Sequence, residues 1–201
     1  MQELLDRAVA GERLSAEDAA ALLANGEALL SLGQAAAAVR RLRVPTQQVT
    51  FAVGCAITPR PSSIPDADLT DALDAAVSAG CSEVMFLVSQ ADSGMLDGVA
   101  HMVVAAKAHV PHLVYGLAVN GAEWAAAGVR AERSLPALRD AGLSLLASDG
   151  GNQQDASVWL NIAAMAHDLG LDAAPTVIVR AQETAAERVA QFARVRDWQD
   201  K

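Results

Sequence analysis

The chain of 201 residues is poor in the residue types that most often announce a function. Aromatic residues make up 3%, with one tyrosine, three phenylalanines and three tryptophans. That leaves few platforms for stacking bases or flat cofactors. There are two cysteines, Cys55 and Cys81, and four histidines. Two cysteines fit neither a disulfide framework nor a cysteine-based zinc site. No pair of histidines has the i, i+4 spacing of a helical zinc site: His101 and His109 are eight apart on one expected helix, His112 opens a strand and His167 falls late in a helix. Metal binding by these residues is not expected. Basic residues are also scarce, 15 against 24 acidic ones, for a net charge of −9. A chain this acidic lacks the footprint of a nucleic-acid binder. No apolar run approaches the roughly 20 residues a membrane helix needs. The opening MQELLDRAVAGERL carries charges where a secretion signal needs an apolar segment, so a cytoplasmic protein is expected.

What is present is a good core composition, 52% hydrophobic and 19% charged, in a chain long enough for one domain with a substantial core. The first 45 residues read as a helical preface with Leu and Ala at i, i+3, i+4 spacing, broken by Gly11, Gly26 and Gly33. Ser15 with Asp18 three residues on is a helix start. From residue 46 to 201 the pattern alternates. Apolar β-rich runs fall at 49–54, 82–89, 112–119, 143–148 and 174–180, with helical stretches between them and a last helix from Thr184. Gly80, Gly142 and Gly170 stand where helices hand over to strands.

Strands apolar on both faces point to a parallel sheet covered by helices. The first strand lacks the G-x-G-x-x-G of a dinucleotide fold. The expected architecture is α/β: a partial TIM-type barrel of about five βα units behind a helical preface, in a single domain. Closure takes eight units and ~250 residues, so an open edge is expected. Open edges are paired or covered, which predicts a homodimer or docking onto another chain.

In barrels chemistry gathers at the C-terminal ends of the strands. That rule selects Cys55 and Thr58; Ser89, Gln90 and Asp92; Asn120 and Glu123; Ser148 and Asp149; and Arg180, Gln182 and Glu183. The set is polar, mixed in charge and able to hold a small polar ligand. Cys55 is either a nucleophile or a buried strand-end residue, inert unless its thiol pKa is lowered. SDGG at 148–151 is either a backbone nest for an anion or a plain turn. Arg180 and Glu183 either clamp an anion, or Glu183-Thr184 simply starts the last helix.

The preface LLDRAVAGERLSAEDAAALL leading into VTF, then LTDALDAAVSAGCSEVMF, AGVRAERSLPALRDAGLSLL and above all WLNIAAMAHDLGLDAAPTVIVRAQETAAERVAQFARVRDWQD resemble a known family. It comprises the radical S-adenosylmethionine enzymes of the futalosine route to menaquinone, aminofutalosine synthase and dehypoxanthine futalosine cyclase, with the deazaflavin-cofactor synthase as a relative. The resemblance implies a radical-SAM barrel. It also implies a [4Fe–4S] cluster held by C-x-x-x-C-x-x-C in the loop after the first strand, with S-adenosylmethionine on the fourth iron.

The departures from that pattern fall on the cofactor pocket. The loop from Ala56 to Asp66 contains no cysteine, and Cys55 falls just before it. The family's Gly-Gly at the end of the second strand is Val88-Ser89 here. Its Gly-His-x-Glu-Thr appears as Arg180-Ala181-Gln182-Glu183-Thr184. The expectation is a shortened, cluster-less relative with no cofactor, binding a ligand or a full-length radical-SAM paralogue. Two alternatives stay open: an enzyme of another class, a lyase or isomerase acting on a small anion, or one half of a split enzyme.

Overall fold

A computed structural model describes residues 1–44, 48–58, 66–88, 93–120, 124, 131–148 and 156–200. These fall into two compact units, Met1–Thr50 with Val177–Lys201, and Phe51–Thr176.

The first unit is helical: α1 (Gln2–Val9), α2 (Ala16–Ala24) and α3 (Leu29–Arg43), joined after a long interval by α8 (Ala185–Gln199). Ser15 caps α2 as expected, its Oγ accepting from the Asp18 amide at 3.0 Å. Gly11 and Gly26 separate helices, whereas Gly33 lies inside α3. One glycine costs a helix about 1 kcal/mol, too little to break an element anchored by Ala35, which buries against Leu5 and Leu22. The sequence placed the last helix with the barrel. It packs instead on the preface: Arg13 donates to Asp200 at 2.8 Å and Arg196 to the Leu14 carbonyl at 3.3 Å.

The second unit holds a five-stranded sheet in the order β1 (Gly54–Ile57), β2 (Glu83–Val88), β3 (Val114–Val119), β4 (Leu145–Ser148), β5 (Asp172–Ala174), every neighbouring pair parallel. Helices α4 (Asp66–Ser78), α5 (Ser93–His109), α6 (Ala131–Asp140) and α7 (Ala156–Asp168) fall between the strands. Strand order that follows chain order without reversing is the winding of a barrel, not of a dinucleotide fold with its switch point. The barrel is not closed. Three of the handovers are built alike: Gly80, Gly142 and Gly170 take φ of 77°, 105° and 81°. The following residue then closes the helix end, as Cys81 does by donating to the Ala76 carbonyl at 3.0 Å.

Right-handed crossovers, the rule for parallel strands wound in chain order, put the connecting helices α4 to α7 on one side. The two faces of the sheet therefore differ, where the sequence suggested both were covered. Val84, Phe86, Tyr115, Leu117 and Leu146 form the helix face and are 0% exposed. The opposite face carries Gly54, Ala56, Glu83, Met85, Leu87, Val114, Gly116, Ala118, Leu145 and Ala147, apolar but for Glu83, with Leu87 and Val114 38% and 41% exposed. Small residues let this face curve inward. A Cβ on Gly116 would come within 2.8 Å of Met85 Sδ, so Met85 lies across it.

Two strands lie elsewhere than expected. β1 starts five residues later than the apolar run at 49–54, leaving Val49 and Phe51 74% and 86% exposed. Its pairing begins only where the Ser82 amide donates to the Val53 carbonyl at 2.8 Å. β5 is Asp172–Ala174, ahead of the expected 174–180. Both are edge strands with a single neighbour, so burial constrains their register least.

Tyr115 ties the sheet to α5: its hydroxyl donates to the carbonyls of Ala106 and Val110 at 2.9 and 2.8 Å, and its ring stacks on Phe86. Burial, with a smaller contribution from Cys55, pushes its pKa to about 12. A phenol whose folded pKa lies above its unfolded value of about 10 stabilises the fold fully below that pH. The contribution is lost as pH rises toward 12. Tyr115 is the only tyrosine, so the phenolate absorbance band reports this one group. It is expected to ionise well above pH 10 and together with loss of helix ellipticity. Ionisation near 10 with the fold intact would contradict this packing.

Candidate functional site

The C-terminal ends of the strands carry Thr58 after β1, Asn120 after β3 and Ser148 at the end of β4. Thr58 is exposed, and Asn120 and Ser148 are half-buried. The Asn120 carbonyl accepts from the Trp124 amide at 3.0 Å, and the Ser148 carbonyl from Thr176 Oγ1 at 2.7 Å. Thr176 thus belongs to this end of the sheet, although the sequence reading passed over it; it sits inside what looked like continuous strand. Trp124 is fully buried, and Trp159, near the start of α7, is 6% exposed. Neither indole N–H has an acceptor among the described residues. Buried donors normally find one, so both remain available to a water or a ligand. Ser89, Gln90, Asp92, Glu123 and Asp149, with Gly150 and Gly151, lie outside the described residues.

Cys55 is elsewhere than the sequence placed it. It is the second residue of β1, not the residue beyond the strand, and pairs in register with Val84, which pairs with Tyr115. Alternation along a strand turns it to the helix face with those two. Burial pushes the Cys55 thiol up, and Cys81, hydrogen-bonded to it, pushes it further. A thiol shifted this way is a poor nucleophile at neutral pH.

Arg180 and Glu183 lie in the helical unit. Arg180 is exposed, whereas the Glu183 side chain is only 5% exposed. Glu183 accepts from the Arg180 backbone N–H at 3.4 Å and from the Gln191 side-chain amide, and Arg188 Nε stands 3.6 Å away. Thr184 next to it is the N-cap of α8, in a capping box with Glu187. The caps hold Glu187 below the usual carboxylate range. Glu183 and Thr184 thus start a helix and fasten its first turns. Gln191 and Arg188, which complete that arrangement, carried no signal beyond helical spacing from Glu183.

Among the described residues no group of three or more His, Cys, Asp or Glu side chains is placed to hold a metal ion. His109 Nε2 instead meets Asp74 at 2.7 Å, linking α5 to α4. No single described helix is long and apolar enough to cross a membrane. Ala16–Ala24 and Gly26–Arg43 satisfy that test only jointly, across an 87° bend.

The chain is similar along its whole length to the cyclic dehypoxanthine futalosine synthase of Streptomyces coelicolor, 28% identical over 240 aligned positions. It is a distant relative of that enzyme and spans 60% of the enzyme's length. With 201 residues set against 240 positions, about 39 positions of the relative have no counterpart here. No protein-family model matches the chain. Among solved structures, two crystal structures of a mandelate racemase/muconate lactonizing protein from Paracoccus denitrificans PD1222, one complexed with magnesium, are each 15% identical to it. They cover 83% of this chain and 63% and 64% of theirs, at TM-scores of 0.45 and 0.35. Likeness at that level bears on neither chemistry nor descent.

Proposed function

We propose that these 201 residues form a cluster-less relative of the futalosine-route radical-SAM enzymes that works as a partner-binding subunit without radical chemistry. The observation that carries this is the supply and placement of thiols. A [4Fe–4S] cluster of the family's type needs three thiolates. The two cysteines of this chain are free thiols by the N-terminal end of the sheet, one on the helix face of β1 and one in the α4–β2 turn, hydrogen-bonded to each other. They do not fit a cluster at the strand C-termini. The residues missing relative to the Streptomyces protein agree with loss of internal loops. At the end of β2, where the family approaches S-adenosylmethionine with glycine, Val88 is branched and buried.

The partner is a full-length radical-SAM relative, received on the open sheet face and its free strand edges. An apolar face of Met85, Leu87, Val114 and Leu145 is what such docking requires, and unpaired edges seek cover. A small ligand reaching the indole N–H groups of Trp124 and Trp159 is compatible with this role. A catalytic reading built on Cys55, Asp149, Arg180 and Glu183 has less support, because Cys55 faces the helices and Glu183 is already engaged by Gln191 and Arg180.

Mixing the purified chain with a cyclic dehypoxanthine futalosine synthase from the same host is expected to give a stoichiometric complex. Amide exchange should slow in β2 and β3, and Leu87→Asp should weaken the complex by about tenfold or more, some 1.4 kcal/mol. Absence of a complex, or a complex indifferent to Leu87→Asp, would contradict the proposal.

A further inference from the structure

Cys55 and Cys81 are the only two cysteines in the chain, both half-buried and both free. They are brought together from both sides. Cys81 is held at the end of α4 by its amide bond to the Ala76 carbonyl, 3.0 Å. Ser82 next to it grips the strand that carries Cys55: its amide donates to the Val53 carbonyl at 2.8 Å, and its Oγ accepts from the Val53 amide at 3.1 Å. The thiols of Cys55 and Cys81 meet across that grip. β1 itself is four residues long and pairs with β2 alone.

We propose that Cys55 and Cys81 form a reversible clasp that fastens the edge strand β1 to the α4–β2 turn, closed by a low-molecular-weight disulfide oxidant and reopened by a dithiol reductant. The Cys81 thiolate attacks one sulfur of the small disulfide. A Cys81–small-thiol mixed disulfide forms and one small thiol leaves with the electron pair of the broken S–S bond. Cys55, on losing its proton, attacks the Cys81 sulfur and expels the second small thiol. In balance, two protein thiols and one small disulfide give one protein disulfide and two small thiols; the protein loses two electrons and two protons, and the oxidant gains them. Cys55 comes second because its buried thiol holds its proton against an oxidant in solution, whereas once Cys81 carries the mixed disulfide the attack is intramolecular and proximity offsets the small thiolate fraction. A bridge here closes the loop containing α4, which restrains the unfolded chain and a short edge strand together.

The test is incubation of the full chain with oxidised glutathione, followed by non-reducing peptide mass spectrometry, thiol counting and thermal melting. Expected are an internal Cys55–Cys81 linkage, loss of both free thiols and a melting temperature raised by about 5–10 °C, all reversed by dithiothreitol. Amide exchange in β1 should slow on oxidation. Cys55→Ala and Cys81→Ala, small changes at half-buried positions, should each give neither the bridge nor the rise. Two separate glutathione adducts, a bond between chains, unreactive thiols, or an internal bridge that leaves the melting temperature unchanged or lower would overturn the clasp.

Discussion

Replacing Phe86 by alanine is expected to destabilise the sheet unit by about 3–5 kcal/mol, while the same change one residue on, Leu87→Ala, costs about 1 kcal/mol or less. Phe86 is 0% exposed, stacked on Tyr115 with ring centroids 6.4 Å apart, and in register with Ile57 on one side and Leu117 on the other. Deleting it leaves a cavity that a close-packed strand–helix layer can collapse into only in part. Leu87 points the other way and is 38% exposed, so truncation removes little buried area. Urea melts of the two variants read the difference directly. Similar costs would mean that both faces are sealed, and would remove the surface on which the proposed partner docks.

The contrast follows from topology more than from composition, which is why the sequence revealed it incompletely. β2 and β3, with neighbours on both sides, lie within the expected runs 82–89 and 112–119, at Glu83–Val88 and Val114–Val119. Helices α4 to α8 also fall where their periodicity and glycine ends put them, because Gly80, Gly142 and Gly170 signal helix ends by local conformation alone. The edge strands were misplaced, since an apolar run such as VTFAVG states a preference for extended backbone without saying where a partner starts. Apolarity on both faces could not distinguish helix cover from the inner side of an unclosed barrel. At the candidate site, local signals were legible. Thr184 begins a helix because a capping box is a short-range pattern. Long-range ones were not: the meeting of Cys55 with Cys81 and the role of Thr176 on the Ser148 carbonyl exist only once the strands are paired.

The second large effect concerns iron and follows from the proposed absence of a cluster. A radical-SAM site binds and poises its cluster with three thiolates, leaving one iron for S-adenosylmethionine, and two cysteines cannot supply that set. The pair present is further unsuited: burial keeps Cys55 protonated, whereas a ligating cysteine must be a thiolate. The thiols also lie by the N-terminal end of the sheet, away from Thr58, Asn120 and Ser148 at the end where a barrel does its chemistry.

The most direct measurement is anaerobic reconstitution of the full chain with ferrous iron and sulfide, followed by desalting, iron and acid-labile sulfide analysis and a visible spectrum. Expected are no cluster charge-transfer band and iron retention no greater than in a Cys55→Ser, Cys81→Ser double variant. Stoichiometric iron and sulfide with a cluster band that disappears in Cys55→Ser, or reductive cleavage of S-adenosylmethionine by the reconstituted protein, would contradict that expectation.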